Sequence, residues 1–255
     1  MNNEEFSNEF DLLVSSYRRF RDFDSREPLD TIEFDEYEKS LYITKAQESV
    51  ILSLYNGRNS LGESFEQTEE LRRYLEGLVV EKEIEPVSNG ANEANGTSVK
   101  TGVGEKSLFF KLPDDLWFIV YEQATVSDDS YCEGMGAIGV YPTRHDEYLR
   151  LRKNPFRGVN DRRALRLDVS ENQVEIVSKY TISKYYVRYL RKLKPIILED
   201  LPNGVTIGHT EGFAGNMATP CEVHESLHHK IVERAVEMAL QAKLGGIPSE
   251  KRGTQ

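Results

Sequence analysis

His224, Glu225 and His228 spell H-E-x-x-H, the short pattern in this chain with the most direct chemical meaning. On a helix, histidines four apart share a face and bind one zinc ion, and the glutamate then acts on the metal-bound water. The rest of such a site is missing. The extended pattern requires a glycine at position 231 and a histidine at position 234, where this chain has Ile231 and Arg234. Glu237 follows His228 by nine residues, and at about 100° per residue it faces away. The residues read as polar histidines in the first turns of a capped helix, with Leu227 toward a core. No catalytic residue, metal ligand or cofactor-binding residue is assigned, and no cofactor is expected. A zinc hydrolase built on His224, Glu225 and His228 stands as the competing enzyme reading.

Other reactive combinations carry less. Gly102-Val103-Gly104-Glu105-Lys106-Ser107 resembles the end of a phosphate-binding loop. However, Glu105 separates the glycine from the lysine, and the pattern after it is a strand, not a helix. Asp114-Asp115, Asp128-Asp129 and Glu199-Asp200 lie in turn contexts. Cys132 and Cys221 lack redox-motif spacing and suit a reducing compartment. The acidic N-terminus lacks the order of a secretory signal, and no apolar run approaches the roughly 20 residues of a membrane span.

The elements that would position any site fall into a clear order over the 255 residues. Helical spacing of apolar residues predicts helices over 3–23, 35–55 and 64–80, the second stopped by Asn56-Gly57. The second stripe runs through Tyr37, Leu41, Thr44, Gln47 or Glu48, Ile51, and Leu54 or Tyr55. Residues 85–106, rich in Asn, Gly, Ser and Thr, read as a loop. Strands are expected over 108–112, 116–126 and 138–141, with Trp117 as a core anchor between layers. A short helix over 144–153 and an Asn-Pro-Phe-Arg-Gly turn lead to strands at 163–169, 173–178 and 181–193. An extended piece at 195–199 and a glycine-rich loop over 203–217 follow. Thr219, Pro220 and Glu222 form a capping-box signature, predicting a helix from there to Lys243.

Charge is distributed unevenly. Of 32 basic and 43 acidic residues, 14 basic and 6 acidic ones lie between Arg144 and Lys194, so that stretch is about +8 in a chain of net charge −11. A protein polarised in this way either binds nucleic acid or pairs its basic surface with an acidic surface on a neighbour, including another copy of itself. Tyr180, Tyr185, Tyr186 and Tyr189 could stack on bases, but no RNA-binding signature accompanies them. A basic-patch nucleic-acid binder is the second competing reading.

Three blocks together carry a family likeness: 34–56 (FDEYEKSLYITKAQESVILSLYN), 154–201 (from NPFRGVNDRRALRLDVS to YYVRYLRKLKPIILEDL) and 219–243 (TPCEVHESLHHKIVERAVEMALQAK). They resemble a family of virion structural proteins from crAss-like tailed bacteriophages, which form rings at the neck between portal and tail. The resemblance implies a homo-oligomeric ring, a dodecamer if it matches a portal, with the portal and other neck or tail rings as partners. It implies transient passage of phage DNA through the ring, residence in the virion, and assembly in the host bacterial cytoplasm. It transfers no catalytic residue. An acidic protein suits a channel through which DNA slides, and a polarised one suits a head-to-tail ring.

The expected architecture is α+β. A helical bundle is formed by the N-terminal region 1–84 and the C-terminal helix 219–244, with a mainly antiparallel β domain at 107–218 inserted between them. The loop 85–106 and a tail 245–255 complete the chain. The expected function is a structural head-to-tail connector. Its subunit interface is placed at Arg144, Arg157, Arg162, Arg163, Arg166, Arg188 and Arg191.

Overall fold

The structure, a computed structural model, describes residues 1–22, 33–57, 68–87, 102–104, 106–127, 136–170, 172–202, 204–208 and 215–243. Most of the expected 85–106 loop, the middle of the 203–217 loop and the 245–255 tail lie outside the described residues, as do Cys132 and the Asp128-Asp129 pair. By internal contacts the chain divides into two units, Met1–Leu78 with Leu193–Gln255, and Val79–Lys192. The fold class is α+β, with helices on either side of a β region in the sequence.

The first unit is helical. Helix α1 (Asn3–Asp22) buries Phe6, Phe10 and Val14, spaced four apart, so that one stripe faces the core. Helix α2 (Glu36–Tyr55) begins at Asp35, whose side chain accepts from the Glu38 N–H at 2.7 Å. It ends at Asn56, and the next residue, Gly57, takes the left-handed conformation (φ 70°) that a side chain disfavours. Helix α3 (Glu69–Leu75) is short and runs into a 3-10 turn, Glu76–Leu78. The expected helix over 64–80 thus stops early, because Val79–Ile84 is strand β1. Helix α5 (His228–Lys243) packs on α1 and α2 through Ile231, Val232, Ala235, Val236 and Ala239.

The polar members of the α2 stripe have a structural task. Ser40, Thr44 and Gln47 are buried and hold the backbone of the extended segment 194–198, which has no sheet to join. Thr44 bonds both backbone groups of Ile196, Ser40 Oγ accepts from Leu198 N, and Gln47 Nε2 donates to Lys194 O. A helix face thereby replaces a neighbouring strand, so the segment's backbone groups are not buried unpaired. Lys39, almost fully buried, donates to Asp11 (2.7 Å), Glu36 (2.9 Å) and Ser7 (3.0 Å), which fastens α1 to α2. Burial alone would lower its pKa, but the bonds to Asp11 and Glu36 outweigh it and hold the ammonium above its ordinary value.

The second unit is a seven-stranded sheet. Strands β1 (Val79–Ile84), β2 (Ser107–Lys111), β3 (Leu116–Val126), β4 (Ala137–Pro142), β5 (Arg163–Ser170), β6 (Gln173–Val177) and β7 (Ile182–Arg191) are ordered β1-β7-β3-β4-β5-β6-β2. Every pairing is antiparallel except β4 with β5. Register shifts in the β3–β7 ladder bend the sheet, and the Pro86–Phe110 bridge, with Val87 N donating to Phe109 O at 2.8 Å, links its two ends. The curled sheet encloses Phe110, Ala124, Ile138, Ile176, Tyr185 and Val187. Trp117 is not part of that core. It lies half-buried on β3, with its ring 5.0 Å from Phe118, at a register shift of the β3–β7 ladder.

Candidate subunit interface

The histidine pattern does not assemble a zinc helix. Thr219 does not cap a helix either: its backbone pairs with Ile197 in an isolated bridge. The helix begins later, with a 3-10 turn at Glu225–Leu227 ahead of α5. His224 is its cap, with extended backbone (ψ 137°), and its Nδ1 accepts from Ser226 N at 3.3 Å. The two histidines are therefore not successive turns of one helix, and they do not share a face. His228 is buried, and both its ring nitrogens are engaged. Nε2 donates to Val223 O at 3.0 Å, and Nδ1 accepts from the Met1 amino group at 3.0 Å, while the ring packs on Phe6. Burial is the main cause that pushes its pKa below the ordinary value. Among the described residues, no group of three or more His, Cys, Asp or Glu side chains is placed to hold a metal.

The phosphate-loop resemblance is also absorbed by the fold. Val103 N donates to the buried Glu175 carboxylate at 2.6 Å, and Gly104 N to Ser107 Oγ at 2.8 Å. An internal carboxylate and a hydroxyl thus occupy donors a phosphate would need. Gly102 is required for this approach, since a Cβ there would collide with Ser107 and Glu175.

The basic stretch separates into two populations once its partners are visible. Cations on the strands and in the β6–β7 turn are engaged within the unit. Lys179 pairs with Asp161 (2.6 Å), Lys184 with Glu83 (2.8 Å) and Arg188 with Glu81. Arg163 is half-buried, its guanidinium carbon 4.0 Å from the centre of the Tyr141 ring. Arg166 is the extreme case. It is 11% exposed, donates to Glu122 Oε1 at 2.5 Å and lies 3.1 Å from Asp168 Oδ1. Tyr185 donates to the other Glu122 oxygen at 2.7 Å. Burial pushes the Glu122 carboxyl up, against the pull of Arg166, and burial also pushes the Tyr185 hydroxyl up. Arg191 is half-buried on β7 and has partners of its own.

The second population lies in the crossover between the parallel strands β4 and β5. Helix α4 (His145–Leu151) is rooted by Tyr148, buried against Leu165, Leu167 and Val177. Beyond it, the Asn154 side chain accepts from Phe156 N and Arg157 N, and Gly158 N donates to Asn154 O, closing a compact turn. Arg144, Arg157 and Arg162 are exposed there, as are Arg150, Arg152 and Lys153. Leu149 and Phe156 are exposed on the same element and were not singled out by sequence patterning. The signal available was an aromatic residue at the centre of a Pro-Phe-Arg-Gly turn within a run of cations.

These features describe a surface of exposed cations and apolar side chains on the α4 crossover. The family model described as phage tail ring protein 3/4 matches residues 1–250, and the chain belongs to that family. It is 39% identical over 246 residues to Ring protein 3 of Bacteroides phage crAss001, covering 95% of this chain and 96% of that protein. It is 28% identical over 257 residues to Ring protein 4/5 of the same phage, covering 97% and 95%. The protein is thus a structural ring protein of the crAss-like phage virion. No helix among the described residues is long and apolar enough to cross a membrane.

Proposed function

We propose that the protein forms a closed homo-oligomeric ring in the neck of the virion, joining portal to tail around the path of the DNA. Its neighbours along the axis are the portal and other ring proteins, and a portal-matched ring has roughly twelve copies. Non-enzymatic function and assembly in the host cytoplasm belong to the same reading.

The observation that carries the ring geometry is the division of charge between the units. The helical unit has 26 acidic and 15 basic residues, whereas the sheet unit has 17 of each. All of the net charge of −11 therefore resides in one unit, while the exposed cation cluster of the α4 crossover resides in the other. Two different surfaces on one chain, complementary in sign, favour head-to-tail association. Arg144, Arg157, Arg162 and Arg188 are the expected interface arginines that remain accessible. Arg163, Arg166 and Arg191 serve the interface indirectly by fixing the sheet that carries it.

The test is the native mass of the purified protein at micromolar concentration, with metal content measured on the same sample. A species near a dozen subunits without zinc is expected. A monomer holding one zinc per chain would overturn the reading in favour of a hydrolase, and tight, steeply salt-dependent DNA binding would favour a nucleic-acid protein.

A further inference from the structure

The α4 crossover presents an apolar and basic knob that its own chain leaves uncovered. Phe156, at 86%, is the most exposed large apolar side chain among the described residues, and Leu149 on the same element is 68% exposed. A single exposed apolar residue needs no explanation. Here two accompany Arg150, Arg152, Lys153 and Arg157, none of which forms an ion pair with a described residue, whereas Lys179, Lys184 and Arg188 are paired internally. The knob is also preformed. Tyr148 anchors its base, Asn154 bonds the backbone on both sides of its tip, and a Cβ on Gly158 would strike the carbonyls of Leu151 and Asn154. An aromatic and arginine cluster on a fixed turn loses little conformational freedom on docking, which is the character of an interface hot spot.

Charge selects the occupant. A surface that receives this knob must offer carboxylates around an apolar centre, and the helical unit does so. The outer face of α1 exposes Leu12 (67%) with Glu4 and Glu5 on the same side. The start of α2, tied to α1 by the Ser7–Glu36 hydrogen bond (2.9 Å), exposes Asp35 and Tyr37 as well. We propose that the Leu149–Phe156 knob of one copy docks on the outer α1 face of a second copy. The proposal rests on the ring reading and gives it a specific joint: knob and acceptor are different surfaces of one chain, so the contact propagates from copy to copy until it closes.

Disulfide trapping tests the joint directly. A chain carrying Phe156→Cys is mixed with a chain carrying Leu12→Cys under mild oxidation, with the wild type and each variant alone as controls. The expected result is a mixed disulfide dimer well above every control. In parallel, Lys153→Glu with Arg157→Glu should raise the concentration needed for self-association at least tenfold, and Glu4→Lys with Glu5→Lys should restore it. Wild-type rings with no mixed disulfide and no response to the charge reversals would overturn the knob while leaving the ring intact. A wild-type monomer that still gives the mixed disulfide would support the knob and count against autonomous ring closure. A monomer without the disulfide would contradict both. Loss of DNA binding in the Lys153→Glu, Arg157→Glu chain, with self-association unchanged, would reassign the knob to nucleic acid.

Discussion

The Thr44 hydroxyl closes both backbone groups of Ile196: it donates to Ile196 O and accepts from Ile196 N, each at 3.1 Å and fully buried. One side chain of α2 thus stands in for the strand that the extended segment 194–198 lacks. Thr44→Val keeps the shape and removes both bonds, leaving a buried donor and acceptor unpaired. We expect a loss of about 1–3 kcal/mol, read by urea unfolding. An unchanged unfolding midpoint would mean that Ser40, Gln47 and apolar packing hold the segment without it.

The buried Arg166–Glu122 pair calls for a different experiment. Removing one partner leaves the other charged and enclosed, so Arg166→Met should cost about 3–5 kcal/mol. Adding Glu122→Gln should recover most of that loss, since Asp168 is exposed and tolerates solvation. A double-mutant cycle by chemical denaturation measures the coupling. Additive effects would show that the two groups do not act as a pair.

His228 predicts a pH dependence whose sign follows from its lowered pKa. The folded state holds the ring neutral, whereas the unfolded ring titrates near the ordinary value of about 6.5. Its contribution to stability is therefore complete above about pH 6.5 and is lost as pH falls through the lower folded pKa. Thermal unfolding at steps from neutral to mildly acidic pH should show a steeper decline for wild type than for His228→Gln. Parallel profiles would refute the assignment.

Gly158 offers a local test of the turn that carries Phe156. A Cβ at this position would lie 2.6 Å from Asn154 O and also inside van der Waals contact with Leu151 O, both backbone atoms with little room to move. Gly158→Ala should destabilise the sheet unit by roughly 1–3 kcal/mol, whereas Gly136→Ala, with nothing within 4 Å, should be nearly neutral. Equal effects of the two substitutions in thermal unfolding would show that the turn is not constrained.

Much of the fold was legible because its signals are local. Alternation in 163–177 marks β5 and β6, Asp35 and Asn56-Gly57 mark the ends of α2, and helical spacing marks α1 and α5. The misread parts are those decided by distant residues. Val79 and Val80 fall within the helix expected over 64–80, yet they open strand β1 because β7 pairs with it. Thr219 has the composition of a cap, but its backbone is taken by Ile197. The candidate interface shows the same limit. Counting charges located a basic stretch, but Glu122 is 44 residues from Arg166 and Glu83 is 101 from Lys184, so sequence spacing did not reveal which cations are already neutralised. Only the folded chain separates the paired strand cations from the uncovered knob.

The central claim is a ring at the junction of head and tail. Immunogold labelling of intact virions with antibody against this chain, read by negative-stain electron microscopy, tests it most directly. Gold confined to the neck, between the capsid vertex and the tail, is the expected result. Label spread over the capsid, or confined to the far end of the tail, would contradict it.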